Sequence, residues 1–150
     1  MNRILETFTL LTNSIDRFKE EYKLHYPSDR MSDIWSVKDI LCHITYWHQY
    51  YARNLSAQAS GRSYVFPHIP FYELNQRGVE KLRSHSDENL FAMLTKANNK
   101  LKKVILCGKV KQITYRVGTV YTFDRFLFIV NRHIRSHTRQ VGRKRKRITG

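Results

Sequence analysis

Apolar residues recur at helical spacing along several long segments, and this periodicity constrains the fold more than any other feature of the chain. Spacings of three and four residues place side chains on one face of a helix, whereas a half-buried strand needs strict alternation. In residues 2–25 the apolar positions that follow helical spacing are Ile4, Leu5, Phe8, Leu11, Ile15, Phe18 and Tyr22. We therefore predict that residues 2–25 form an amphipathic helix.

Capping residues mark where two further helices begin. Ser36, followed three residues later by Asp39, is a variant of the capping box. It predicts a second helix over about residues 37–59. Ser86 is the corresponding N-cap of a helix over about residues 87–106, whose apolar residues also form one stripe.

The segments between these helices carry weaker signals. Helical spacing continues from about residue 71 to 83, and this stretch either joins the next helix as one bent helix or stands as a separate one. Residues 111–123 alternate between polar and apolar instead. Alternation of this kind predicts a short hairpin or an extended crossing, with Gly118 at its turn.

A last helix is predicted from residue 122 or 123 to about residue 142, so helices account for most of the chain. Four main helices with little strand predict an all-α fold, namely an antiparallel four-helix bundle with a long crossover loop. A short hairpin before the last helix is compatible with it. The bundle would occupy residues 1–142 and a basic C-terminal tail residues 143–150.

The net positive charge of the chain comes entirely from its second half. Residues 1–75 hold eight basic and eight acidic residues, whereas residues 76–150 hold nineteen and four, which gives a net charge of +15. Such asymmetry is typical of a solvated tail or of an acidic partner. Two cysteines are too few for a disulfide scaffold. Without a long apolar run or a signal pattern, we expect a soluble, cytoplasmic protein with no membrane partner.

Two histidines near the end of the last helix, His133 and His137, are its most informative polar residues. At about 100° per residue they lie about 40° apart. Their side of the helix is mostly apolar and carries Phe126, Ile129, Val130, Gln140 and Val141. Imidazoles at positions i and i+4 can hold one metal ion. Core histidines that bond other side chains fit the same pattern equally well.

The second helix offers a third histidine. His43 shares a face with Trp47, about 40° away, and with Tyr50, about 20° away, whereas His48 points about 140° away and is predicted to be peripheral. Cys42 faces another side and is predicted to pack inside. With the histidines of the last helix, His43 would complete a three-histidine site with one open position, which activates water or a thiol by lowering its pKa.

At these residues the sequence resembles the DinB-like superfamily, the bundles that include bacillithiol and mycothiol S-transferases. "WSVKDILCHITYWH" (35–48) is similar to its second-helix pattern, a tryptophan and serine followed by a leucine-x-histidine ligand. "YTFDRFLFIVNRHIRSHTRQV" (121–141) resembles its fourth-helix pattern of histidine, three residues, histidine and then glutamine. "VFPHIPFYELNQ" (65–76) is similar to the ClbS/DfsB branch, which is known for colibactin self-resistance through cyclopropane hydrolysis. The likeness covers nearly the whole chain.

The resemblance implies a metal-dependent enzyme with a role in stress or detoxification. Its metal triad would be His43, His133 and His137, and the ion zinc, nickel or another divalent metal. The substrate would be a small electrophile, which reacts by transfer of a low-molecular-weight thiol or by hydrolysis, in a protein that is often a homodimer. The candidate pocket residues are Trp47, Tyr50, Asn75 and Gln140. Core packing or a helix-interface hydrogen bond is the alternative role for these residues.

Two other functions stay open. A nucleic-acid-associated protein would use its lysines and the basic tail as a phosphate-neutralising surface. The residues that would contribute are Lys100, Lys102, Lys103, Lys109, Lys111, Arg143, Lys144, Arg145, Lys146 and Arg147. No nucleic-acid-reading motif accompanies them, so this hypothesis depends on charge alone. The third possibility is a bundle that keeps a metal ion only for stability.

Overall fold

The computed structural model describes residues 2–62, 67–116 and 119–144, and most of these residues are helical. Its five helices and two strands follow one another as α1 (Asn2–Tyr22), α2 (Val37–Ala59), α3 (Phe71–Leu82), α4 (Asp87–Cys107), β1 (Gln112–Arg116), β2 (Thr119–Thr122) and α5 (Phe123–Gly142). The protein is therefore mostly helical, as predicted. None of its described helices is both long and apolar enough to cross a membrane.

The predicted caps begin the helices where the sequence placed them. The Ser36 side chain accepts a hydrogen bond from the backbone N–H of Asp39, and the Asp39 carboxylate accepts one from the backbone N–H of Ser36. This reciprocal pair satisfies two backbone donors that the first turn of α2 leaves free. The Ser86 hydroxyl likewise accepts from the backbone N–H of Asn89 at the start of α4. Helix α1 ends at Tyr22, three residues earlier than predicted.

Of the alternatives left open by the sequence, the structure selects separate helices and a hairpin. Helices α3 and α4 are distinct, because the chain turns between Leu82 and Asp87. Strands β1 and β2 pair antiparallel, with Gln112 opposite Thr122. The predicted turn at Gly118 lies outside the described residues.

The four long helices form two closely packed pairs, α1 with α5 and α2 with α4, while α3 packs on α2. Both pairs run parallel. Arg3 at the start of α1 forms an ion pair of 3.4 Å with Asp124 at the start of α5. Lys38 at the start of α2 lies 4.0 Å from Asp87 at the start of α4.

The predicted antiparallel bundle is therefore antiparallel only between some of its neighbouring helices. Antiparallel neighbours occur along two looser seams, between α1 and α4 and between α2 and α5. In the α1–α4 seam, Tyr22 near the end of α1 packs on Phe91 near the start of α4, with 5.3 Å between ring centroids. In the α2–α5 seam, Tyr51 packs on Phe126 at 5.3 Å. Because α3 carries the chain back across the fold, α4 runs in the direction of α2.

Helix α3 is held close to α2 at Gly78. A Cβ atom at this position would lie 2.5 Å from Cγ and from Cδ1 of Tyr46, which is closer than carbon atoms can pack. Gly78 itself is buried. The close approach of the two helices therefore requires glycine here, although glycine disfavours a helix interior.

Replacing Gly78 with alanine should destabilise the protein despite the better helix propensity of alanine. The propensity gain is about 1 kcal/mol, whereas overpacking a tight contact costs about 1–3 kcal/mol. We expect a net loss of about 1 kcal/mol in unfolding free energy, measured by urea denaturation. In a Tyr46→Ala background the same change should instead stabilise the protein. A loss of equal size in both backgrounds would contradict the close contact.

Candidate metal centre

Three histidines from α2 and α5 converge on one point in the α2–α5 seam. The Nε2 atom of His133 lies 3.3 Å from Nε2 of His43 and 2.9 Å from Nε2 of His137. One ring nitrogen from each histidine lies within 4.8 Å of the others. His43 and His133 are 90 residues apart in the chain, so only the packing of α5 beside α2 brings them together.

All three imidazoles are neutral near pH 7 in this setting. Burial, together with the coulombic effect of the neighbouring imidazoles, lowers the pKa of His43 and of His133 below the ordinary histidine value. Burial also lowers the pKa of His137, and the hydrogen bond that His137 donates to Gln140 opposes that shift. Neutral imidazoles keep a lone pair on one ring nitrogen, which is what coordination of a metal ion requires.

Gln140 determines which nitrogen of His137 carries the proton. Its side-chain Oε1 atom lies 2.9 Å from Nδ1 of His137 and can only accept a hydrogen bond. The Nδ1–H group of His137 therefore donates to Gln140, and Nε2 of the neutral ring presents its lone pair to His133. An outer hydrogen bond of this kind orients metal-binding histidines in proteins.

Two of the three nitrogen pairs have the separations expected of ligands that share one metal ion. Zinc–nitrogen distances are about 2.0–2.1 Å, so two nitrogens on one ion lie about 2.9 Å apart at a right angle and about 3.4 Å apart at a tetrahedral angle. The two measured N···N separations, 2.9 and 3.3 Å, lie in this range. Nε2 of His133 takes part in both contacts and carries at most one proton, so its N–H can point along only one of them. A cation would instead accept the lone pairs of all three nitrogens.

Trp35, for which no individual role was predicted, covers one side of His43. The two ring centroids are 5.0 Å apart, and the indole N–H of Trp35 donates to Oε1 of Gln76 in α3 over 3.2 Å. Nδ1 of His43 is buried and has no hydrogen-bond partner among the described residues. An aromatic residue just before an N-cap often folds back on the first turns of its helix, and this signal could have identified Trp35.

The candidate pocket residues occupy well-packed positions near this cluster. The indole N–H of Trp47 donates to Oδ1 of Asn75 over 2.6 Å, which links α2 to α3. Tyr50 is buried and packs on Trp47 with 5.0 Å between ring centroids. These contacts are those of core packing, so a role of Trp47, Tyr50 and Asn75 in binding substrate stays a prediction.

Two other histidines, His25 and His48, are buried. The prediction that His48 is peripheral is therefore wrong. His48 is only 1% exposed, and its Nε2 atom lies 3.0 Å from Oδ1 of Asn98 in α4. The Asn98 amide in turn donates to the Thr12 hydroxyl over 3.0 Å. Since α2 packs against α3, α4 and α5, its buried surface is wider than one stripe. Cys42 is buried, as predicted.

His48 should make stability depend on pH below neutrality. Burial lowers the pKa of His48 to about 4, whereas an unfolded histidine titrates near 6.5. The unfolded state therefore takes up the proton first. Stability is fully present above pH 6.5, falls as the pH approaches 4 and then levels off.

A His48→Gln variant should lack this dependence while keeping a donor for Asn98. Relative to the variant, the metal-free wild type should lose about 3 kcal/mol of unfolding free energy between pH 6.5 and 4. Urea denaturation in the presence of a chelator measures the difference. Parallel pH profiles for the two proteins would show that His48 is not the titrating group.

The fold resembles that of two solved structures of a mycothiol-dependent isomerase. Mycothiol-dependent maleylpyruvate isomerase matches this structure with a TM-score of 0.70 and 13% sequence identity. A histidine-to-alanine mutant of that isomerase matches with a TM-score of 0.71 and 11% identity. Both matches cover 93% of this chain and 60% of the isomerase chain, so this chain spans less than two thirds of the neighbours' length.

Sequence comparison adds nothing to this structural likeness. No protein-family model matches the chain, and no curated protein matches its sequence. At 11–13% identity the structural neighbours show the fold alone. The predicted mostly helical fold is confirmed at this level, whereas membership of the DinB-like superfamily and of its ClbS/DfsB branch stays a prediction.

Proposed function

We propose that this protein is a metal-dependent enzyme of the DinB-like type that acts on a small electrophile. The convergence of three imidazole nitrogens in the α2–α5 seam is the observation that carries the proposal. His43, His133 and His137 would hold one divalent ion. Imidazole donors favour zinc or nickel over calcium or magnesium.

When bound, such an ion lowers the pKa of a coordinated water or thiol and so supplies a nucleophile near neutral pH. The protein's own residues prepare the site. Burial keeps the three imidazoles neutral, and Gln140 fixes the proton of His137 on the nitrogen that faces away from the cluster. Trp35 packs on the ring of His43 and limits the access of water from that side.

Between thiol transfer and hydrolysis, we favour the reaction that uses a low-molecular-weight thiol. The structural neighbours are described as mycothiol-dependent, which supports a thiol as co-substrate. In the transfer, a carbon–sulfur bond forms at the electrophile, the leaving group departs with its electron pair, and the thiol proton passes to solvent. The cyclopropane hydrolysis of the ClbS/DfsB branch is the alternative proposal.

Turnover on a small panel of thiols tests this function. Metal-loaded protein is mixed with an aryl halide and with cysteine, glutathione, bacillithiol or mycothiol, and the products are followed by mass spectrometry. We expect thiol adducts to form with the wild type and not above background with His43→Ala. Hydrolysis products without thiol would favour the alternative reaction. An ion whose removal unfolds the protein, with no turnover on any thiol, would indicate a structural metal.

Gln140 should affect metal affinity through His137. Gln140→Leu removes the acceptor for the Nδ1–H group while nearly keeping the side-chain volume, and loss of such an outer partner typically weakens metal binding by about 10–100-fold. Gln140→Glu keeps an acceptor and should bind at least as tightly as the wild type. Competition with a chromogenic zinc chelator measures both affinities. Equal affinities for Gln140→Leu and the wild type would show that Gln140 does not orient the ligand.

Several further predictions belong to the same proposal. We propose that the four long helices form a DinB-like four-helix bundle over residues 1–142, followed by a basic tail over residues 143–150. The assembly would be a homodimer in the cytoplasm. Sedimentation equilibrium tests whether the protein is a dimer. Shortening the chain to end before residue 142 tests the domain boundary, because we expect a sharp loss of structure in that variant.

Nucleic-acid binding is a second proposal, supported only by charge. The lysines predicted to contribute are exposed: Lys100, Lys102, Lys103, Lys109 and Lys111. Of the predicted tail residues, Arg145, Lys146 and Arg147 lie outside the described part of the chain. Phosphate contacts make affinity fall steeply with salt. Absence of duplex binding at low salt, or unchanged binding after deletion of residues 143–150, would remove this proposal.

A further inference from the structure

A long groove lies in the α1–α4 seam, away from the three histidines. Its volume is about 1250 Å³. One wall is the face of α4 from Asp87 to Lys103, and the other is the end of α1 and the turn after it, from Lys19 to Pro27. Most of the residues that line it are exposed, so the groove is open to solvent along its length.

The two walls carry rows of lysines at helical spacing. On α4, Lys96, Lys100 and Lys103 succeed one another every three or four residues, and the other wall carries Lys19 in the last turn of α1 and Lys23 just after the helix. All five lysines are exposed. Asp87 and Glu88 line the groove only where α4 begins. The groove therefore carries five lysines against two carboxylates, and Asp87 also lies 4.0 Å from Lys38 of α2.

Between the lysines the floor is apolar and aromatic. Phe91 is half-buried and packs edge-on against Tyr22, and Ala92 lies exposed beside it. The ammonium group of Lys19 lies over the Phe91 ring, 5.5 Å from its centroid. His25 also lines the groove and is only 1% exposed. Its Nδ1 atom has no hydrogen-bond partner among the described residues.

The dimensions of the groove fit a helix better than a small ligand. Sixteen helical residues separate Asp87 from Lys103, and a rise of about 1.5 Å per residue makes the groove about 24 Å long. Small-molecule pockets measure about 300–1,000 Å³ and enclose most of their ligand, whereas this groove is larger and open. A helix about 10 Å across and 24 Å long occupies about 1,900 Å³. The groove would hold more than half of it and leave its outer face in water.

We propose that the α1–α4 groove binds an amphipathic helix of a partner protein whose apolar stripe is flanked by acidic residues. The apolar stripe would cover Phe91 and Ala92. The acidic flanks would face the lysine rows of α1 and α4, and a basic residue at one end of the partner helix would face Asp87 and Glu88. Helix-in-groove recognition of this kind combines apolar anchors at i, i+3, i+4 and i+7 with complementary charge.

The other occupants fit less well. A phosphate backbone would match the lysines but would leave the apolar floor uncovered. A second copy of this chain carries the same net charge of +15, so two basic surfaces would have to meet. The apolar floor thus favours an acidic protein partner over a phosphate backbone, and charge complementarity favours it over a second copy.

A labelled peptide tests the proposal on the full chain. The probe is a fluorescein-labelled peptide of about 18 residues, long enough to fill the groove as a helix, with leucines at helical spacing and glutamates on both flanks. Its affinity is measured by fluorescence anisotropy near physiological salt. Lys96→Glu/Lys100→Glu should weaken binding by at least about tenfold. The matched control Lys102→Glu/Lys109→Glu changes the charge equally outside the groove and should stay within about twofold.

Competition decides between this partner and the alternatives. A peptide with lysines in place of the glutamates and a short DNA duplex serve as competitors. We expect neither to displace the acidic peptide, and amide chemical-shift changes to map to residues 87–103. Equal loss in both double variants, displacement by DNA, or no peptide binding would overturn the proposal. Circular dichroism of each variant confirms that it is folded.

Discussion

Replacing His133 with alanine is expected to lower the affinity for a divalent ion by more than about a hundredfold. His133 lies between the other two histidines, and its Nε2 atom contacts Nε2 of both His43 and His137. Loss of an outer partner alone typically costs about 10–100-fold in metal affinity, and loss of a ligand removes a coordination bond as well. Isothermal titration with zinc or nickel measures the change.

His68→Ala is the matched control for this experiment. His68 is exposed, and the same substitution there removes an imidazole without touching the cluster. We expect its affinity to equal that of the wild type. Similar affinities for the His133 and His68 variants would place metal binding elsewhere on the protein.

The Phe126→Ala variant should lose about 3–5 kcal/mol of unfolding free energy, the usual cost of removing a buried phenyl ring. Phe126 is 2% exposed and packs edge-on against Tyr51 across the α2–α5 seam. The same two helices carry His43, His133 and His137. Urea denaturation in the presence of a chelator separates this packing effect from metal binding.

Phe128 on the same helix is the control. It is 48% exposed, and the Arg125 guanidinium lies over its ring. Truncating an exposed side chain usually changes stability by less than about 1 kcal/mol. Losses of equal size at Phe126 and Phe128 would contradict the burial pattern of α5.

Local signals in the sequence predicted most of the helices. The capping residue Ser36 fixed the start of α2, because a cap satisfies backbone donors within four residues of itself. The apolar stripe of the last helix correctly placed Phe126, Val130 and Val141 in the core beside His133 and His137. Such patterns depend on neighbours within one or two turns, which a single sequence displays.

The relations between helices could not be predicted in the same way. The parallel course of α2 and α4 follows from α3 crossing the fold, and His48 is buried only because α4 covers a second face of α2. By itself, the position of His43 on its helix favoured an ordinary core histidine over a metal ligand. Its contact with His133, 90 residues away, was implied by the DinB-like resemblance, since local periodicity carries no information on which faces meet.

The metal content of untagged protein is the most direct test of the proposed centre. The protein is purified without a histidine tag and analysed by inductively coupled plasma mass spectrometry beside the His43→Ala/His133→Ala/His137→Ala variant. If the three histidines form the centre, the wild type should carry about one divalent ion per chain, or take one up on titration, and the variant should carry none. Equal metal content in the two proteins, or no uptake by the wild type, would contradict a metal site at these histidines.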